Sequence, residues 1–239
     1  MTFMTADQAK ILSNVANLDI EMYKPRLAQL IEDNARQGNT AVLTVFPKHL
    51  PLEDIREFHF IGHALGGHIG MQLATYQAEK KFRLLSLTML NAWGELDSHT
   101  QKCFQARISL LLNSGAEAYV RAQALFLYPP HWISTHLDPL TEAENKQLLD
   151  FPPIQNVLAR IQVVQAFKLE KAHQQALKDV PVHLIANQDD FLVPYQRSQQ
   201  LQQLLPHSQL SLFATGAHAS TVTETAQINQ SMLQFLKSA

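Results

Sequence analysis

Cysteine is almost missing from this 239-residue chain, Cys103 being the only one. That excludes an internal disulfide and any cysteine-based metal cluster. Long apolar runs are lacking too: no uninterrupted stretch approaches the roughly 20 residues that span a bilayer. The first ten residues, MTFMTADQAK, lack the basic-then-apolar order of a secretory signal. Neither sign of charge is in excess, with 19 Lys and Arg against 21 Asp and Glu for a net charge of −2. Nucleic acid and anionic membranes are therefore not expected partners, and the chain reads as a soluble cytoplasmic protein. Glycine is sparse: none precedes Gly38, and the next is Gly62. No phosphate-cradling or dinucleotide-binding glycine loop exists, so no nucleotide cofactor is indicated.

What is present describes an ordinary globular chain, 46% apolar and 17% charged, of a length that suits one domain over residues 1–239. Short apolar segments at Ala41–Phe46, Phe58–Ile61, Leu84–Asn91, Val182–Ala186 and, more weakly, Gln209–Ala214 read as strands. Longer helical patterns separate them, which predicts an α/β fold with a mostly parallel sheet covered on both faces. Residues 98–178 carry little strand character. The run from Ser98 to Leu127 reads as two helices parted near Asn113–Gly115. Thr141 with Glu144 three positions on has the pattern of a capping box. Val157, Ile161 and Val164 recur at helical spacing. This block reads as a lid or as additional core-covering helices, and the pattern fits both. At the C-terminus Ile228, Met232, Phe235 and Leu236 form one apolar helical stripe. The first forty residues read as helical, broken near Pro25 and ended at Gly38.

Three short motifs carry chemistry. In IGHALGGHIG, Gly62 and Gly66 frame Ala64 immediately after a strand and before a helix. That frame belongs to strand-to-helix nucleophile elbows of the form G-x-S-x-G, here with no hydroxyl, thiol or carboxylate at the centre. In QDDFLVP, the D-x-x-V-P spacing selects Asp190 over Asp189 as a carboxylate just beyond a strand, placed to accept from an imidazole. In GAHAS, His218 follows the last strand and precedes the final helix. Taken singly, each has an inert counterpart: a glycine-containing turn, a solvated acidic loop, a loop histidine. Elbow, then Asp, then His, each after its own strand, is the order of functional residues in α/β-hydrolases.

The segments FHFIGHALGGHIGMQLA, NAWGELDSHTQKCF, FLYPPHW, QDDFLVP and GAHASTVTE together resemble the α/β-hydrolase-fold D component of the Rut pyrimidine-utilisation pathway. The G-H-A-L-G elbow and the run from Asn91 to Phe104 are the most specific parts, and the resemblance extends from about Asp54 to the C-terminus. It implies a cofactor-free carbamate or aminoacrylate hydrolase in pyrimidine nitrogen scavenging, with alanine as the usual residue of the elbow. It also implies that the Leu65 backbone N–H, following the elbow centre, is one oxyanion donor. Residues 1–50 depart from the family: no glycine-rich loop supplies the second donor, and the N-terminal strands are expected to be reduced or atypical. Either an unfamiliar segment replaces that module, or the chain is truncated or rearranged.

Without a nucleophile at position 64, the expected chemistry is attack by water, with His218 as general base oriented by Asp190. A small molecule is the expected partner. Around it, His63 beside the elbow, Trp93 at the pocket mouth, and Tyr128 and Trp132 on the lid's inner wall are candidate substrate-binding residues, each equally readable as packing. Cys103, in a lid helix, is not expected to serve as the nucleophile. His63 and His68, five apart, do not share a helix face, so no metal site is expected. The rival reading is a non-catalytic protein of the same fold that binds a metabolite or a partner. A third is a variant that folds by forming a homodimer over an exposed sheet edge.

Overall fold

The structure, a computed structural model, describes residues 57–80 and 82–238. The expected strand Ala41–Phe46 and the helical reading of residues 1–40 lie outside them. Four parallel strands, β1 Glu57–His63, β2 Arg83–Leu90, β3 Val182–Asn187 and β4 Gln209–Phe213, pair in the order β1-β2-β3-β4. The four expected strands within this range all form. Every residue of β3 is buried, as is all of β2 from Ser86 to Leu90, which is why these strands read as continuous apolar runs rather than alternating ones.

Each sheet face has its own cover. On one side Phe60, Leu87, Met89, Val182 and Leu184 pack with Met71 and Leu73 of α1 (Leu65–Ala74) and Leu201 of α8 (Gln196–Leu204). On the other, Leu90 and Ile185 meet Ile228 and Met232 of α10 (Thr225–Ser238). Two short helices, α2 (Gln77–Lys80) and α9 (Ser220–Thr223), complete the connections around them.

Between β2 and β3 the chain runs through α3 (Ser98–Leu127), α4 (Pro130–Thr135), α5 (Leu137–Leu149), α6 (Ile154–Ala166) and α7 (Lys171–Leu177). The Asp97 carboxylate caps α3 by accepting from the Thr100 amide at 2.9 Å. The helix breaks at Gly115, whose φ of 86° and ψ of −178° suit a residue without a Cβ, so the expected two-helix division holds. The capping box at Thr141 does not form. α5 starts a turn earlier, with His136 at its N-cap. Pro139 stands in the first turn, where its missing N–H costs no hydrogen bond, and Thr141 falls in the helix interior. An Arg121–Glu144 pair at 2.9 Å ties α3 to α5.

The inserted block is not uniform. Val157, Ile161 and Val164 of α6 pack with Phe104, Leu111 and Tyr119 of α3 over Trp93, Ala64 and Leu65. In contrast, α7 lies against α1, where His173 donates to the Gln72 side chain at 3.1 Å and Leu177 joins the sheet core. Residues 98–178 thus contain both a helical cap and one core-covering helix.

Candidate active site

The site is assembled at the C-terminal ends of all four strands. β1 ends at His63, β2 at Leu90, β3 at Asn187 and β4 at Phe213, and cross-strand register pairs His63 with Leu90, Leu90 with Ile185 and Asn187 with Phe213. Ala64, Asn91, Asp190 and His218 follow these ends, in the crevice where open parallel sheets place ligands.

Ala64 links β1 to α1 with φ 48° and ψ −109°, a sparsely populated conformation for a residue with a Cβ. Its N–H donates to the Leu90 carbonyl at 2.8 Å. This is the sharp strand-to-helix turn that the glycine frame implied. Leu65 is the first residue of α1, a position whose N–H has no intrahelical acceptor.

Asp190 lies in the loop after β3 and is buried. Its Oδ1 accepts from the Leu192 and Val193 amides, both at 2.9 Å. Its Oδ2 accepts from Asn91 Nδ2 at 2.6 Å and from His218 Nδ1 at 2.8 Å. With the proton on Nδ1, the neutral imidazole of His218 keeps a lone pair on Nε2. Replacing Asp190 with asparagine leaves one acceptor oxygen for four donors. Folding stability is expected to fall by about 1–3 kcal/mol, read as a lower urea midpoint at unchanged slope; an unchanged midpoint would show that this network contributes nothing to the fold.

The loop carrying His218 is held from several directions. Asp189 accepts from the Gly216 and Ala217 amides at 3.1 and 2.7 Å, so the neighbouring acid positions the loop while Asp190 takes the imidazole. The Ala219 N–H donates to the Leu127 carbonyl at 2.8 Å, fastening the loop to α3. His63 Nε2 donates to the His218 carbonyl at 2.8 Å, and the two rings meet edge to face at 4.6 Å. Burial first, and then the neighbouring His218, hold His63 well below the usual histidine range. His63 is therefore a neutral support for the loop.

The other expected residues fall into two groups. Trp93 is only 2% exposed and packs with Leu192, Val193, Ala64 and Leu65, so it belongs to the buried wall rather than to a rim. Tyr128 and Trp132 stack at 4.6 Å, with His136 continuing the stack at 4.3 Å. They pack beside Ala219 and Val222, next to the His218 loop, and burial pushes the Tyr128 hydroxyl up to about 12. Cys103 is buried with its thiol pushed up by desolvation, the reverse of a reactive cysteine. His68 is sandwiched between Phe167 and Trp93 and pushed down to about 3 by burial. Among the described residues, no three His, Cys, Asp or Glu side chains cluster as metal ligands would, and no helix is long and apolar enough to cross a membrane.

Sequence reasoning missed Asn91. It adopts a left-handed φ of 52°, donates to Asp190 and to the Ala217 carbonyl at 3.2 Å, and accepts from Asn187 at 3.3 Å. The available signal was an asparagine directly after a buried strand, since asparagine tolerates that conformation better than most residues.

A parallel sheet with a strained elbow after one strand, and an Asp–His pair after two others, defines an α/β-hydrolase. The chain belongs to that family: the model described as "alpha/beta hydrolase fold" matches residues 52–225. Within the family its relatives are RutD proteins. It is 54% identical over 186 residues to "Putative carbamate hydrolase RutD" of Acinetobacter baylyi, covering 78% of this chain and 70% of that protein. It is 42% identical over 224 residues to the protein of the same name from Pseudomonas syringae pv. syringae, covering 87% and 82%. Among solved structures, MGS-M2, an α/β-hydrolase enzyme from a Medee basin deep-sea metagenome library, matches with a TM-score of 0.66 at 17% identity, covering 78% of this chain and 68% of that one. The enol-lactonase of Burkholderia xenovorans matches with a TM-score of 0.65 at 16% identity, covering 77% and 67%. These two share the fold.

Proposed function

We propose that the protein is a cofactor-free hydrolase of a small carbamate-type C–N substrate, acting through water activated by His218 rather than through a covalent enzyme intermediate. One observation carries this reading: a buried His218–Asp190 pair, hydrogen-bonded through Nδ1 at 2.8 Å, beside an elbow whose centre is a methyl group. An inert scaffold has no need of a buried imidazole oriented by a carboxylate with four donors around it.

In this mechanism water occupies the space over Ala64 where a side-chain nucleophile would otherwise stand. As its oxygen bonds to the carbamate carbon, its proton passes to His218 Nε2, and the carbonyl electron pair moves onto the oxygen facing the Leu65 N–H. The proton then passes from Nε2 to the substrate nitrogen as the C–N bond breaks. Ammonia and bicarbonate leave, and His218 returns to its starting state. Asp190 positions the imidazole and stabilises its transient cation. Trp93 forms the apolar wall, and the helical cap from Ser98 to Ala166 shields the reacting centre from bulk water. The relatives' name supports carbamate as the substrate class, and the resemblance to the Rut D component extends the reading to aminoacrylate and to pyrimidine breakdown.

The test is ammonia release from carbamate by the purified protein, followed by stopped flow. A rate above that of protein-free buffer is expected. A rate equal to buffer overturns the enzyme and favours the non-catalytic binding protein, for which Ala64 is the supporting observation.

A further inference from the structure

The cap contains a buried cation with no counter-charge among the described residues. Arg107, in the first half of α3, is 8% exposed. Its guanidinium carbon lies 5.6 Å from the Phe104 ring centre, 5.3 Å from Tyr119 and 5.9 Å from Phe126. Its Nη2 donates to the Tyr119 hydroxyl and to Gln123 Oε1, each at 3.1 Å. Both acceptors are neutral. Among the described residues, no carboxylate lies within ion-pair distance of Arg107.

The buried acid of the site and Glu144 of α5 are already committed. Asp190 is filled by its four donors, and Glu144 is taken by Arg121. Meanwhile Arg107 Nε and the amide nitrogen of Gln123 are buried with no acceptor. Two idle donors thus stand side by side, in a setting where an unsatisfied donor is costly and an uncompensated cation more so.

The cluster around Arg107 is continuous with the elbow. Phe104, Tyr119 and Phe126, the rings around Arg107, belong to the same apolar cluster as Ala64, Leu65 and Trp93. The Cys103 thiol, one helical turn before Arg107, faces the carbonyl of Phe191, the residue after Asp190, at 4.0 Å. The aromatic walls leave the Arg107 Nε–H and the Gln123 amide N–H to an acceptor that brings negative charge with it. A carboxylate offers two such oxygens together with the compensating charge.

We propose that Arg107 is the anion-recognising residue of this site, binding the carboxylate of the substrate and selecting small carboxylate-bearing C–N compounds over neutral amides and esters. This deepens the hydrolase reading and rests on it for the reaction, though not for binding. It also answers a difficulty of that reaction, because water attacking an anionic carbamate builds further negative charge beyond what the Leu65 N–H, the oxyanion donor assigned among the described residues, would face.

The test uses acrylate and acrylamide, matched in shape and differing in charge, titrated into the full chain by calorimetry. The wild-type protein is expected to bind acrylate at least about tenfold more tightly than acrylamide. Arg107→Gln should lose that preference, and Arg107→Lys should retain part of it. A wild-type protein without preference overturns the proposal, whatever the variants do, and so does a folded Arg107→Gln that still prefers acrylate. Acrylate preference without ammonia release from carbamate would remove the hydrolase and keep the anion site. Ammonia release without acrylate preference would do the opposite.

Discussion

Replacing His218 with alanine is expected to lower kcat for ammonia release by about 10²–10⁴-fold, the range that general acid–base assistance contributes. The fold should tolerate the change. His63 donates to the backbone carbonyl of residue 218, so that support survives loss of the imidazole. Asp190 keeps its three other donors, from Asn91, Leu192 and Val193, and is not left as a bare buried charge. The loop also stays fastened through Asp189 and through the carbonyl of Leu127. Activity and stability should therefore separate: a large loss of turnover, measured by stopped flow, beside a thermal midpoint within a few degrees of the parent. Turnover within about twofold of the parent would remove His218 from the reaction.

Gly62→Ala should do the reverse and remove the fold. A Cβ on residue 62 would lie 2.2 Å from both the carbonyl carbon and oxygen of Gly66, and 2.6 Å from the Gly67 nitrogen. These are backbone atoms of the first turn of α1, so no side-chain rotation relieves the clash. Nor can the helix retreat, because Met71 and Leu73 anchor it in the sheet core and both are essentially inaccessible to solvent. The expected loss exceeds about 4 kcal/mol, a large share of the roughly 5–15 kcal/mol that holds a typical domain together. Soluble yield and a urea titration monitored by circular dichroism measure it. A variant that unfolds within about 1 kcal/mol of the parent would mean that the turn is far looser than its geometry implies.

Much of this architecture was legible in the sequence because burial leaves a direct trace. Strands covered on both faces must be apolar along their length, so β2 and β3 stood out. The G-x-A-x-G frame survived because the glycine at position 62 is required by the approach of α1, whatever stands at position 64. Choosing Asp190 over Asp189 by spacing identified the imidazole's partner, since residues 192 and 193 supply the amides that hold its other oxygen. What stayed hidden depends on contacts remote in sequence. Asn91 and Asp190 are 99 positions apart, and nothing near either one announces the other. His63 looked like a residue that could face substrate, yet its ring nitrogen is spent on the His218 carbonyl. Nothing in the sequence marks Arg107, because its enclosure is built from Phe104, Tyr119 and Phe126, the last 19 positions away. Thr141 misled for a local reason: a capping box is a pattern of two residues, whereas the helix start was set by Pro139 and the chain before it.

Ala64 has a further consequence at the level of the genetic code. Alanine is encoded by GCN and serine by the TCN set, which differ in the first base alone. The backbone at position 64 already holds the left-handed φ of 48° that a nucleophile-bearing turn requires, and His218 is already oriented by its carboxylate. A point mutation would therefore put a hydroxyl on a finished turn. The proposed water-based route and a covalent one are therefore neighbours in mutational space, and drift could carry a lineage between them without passing through an unfolded intermediate sequence.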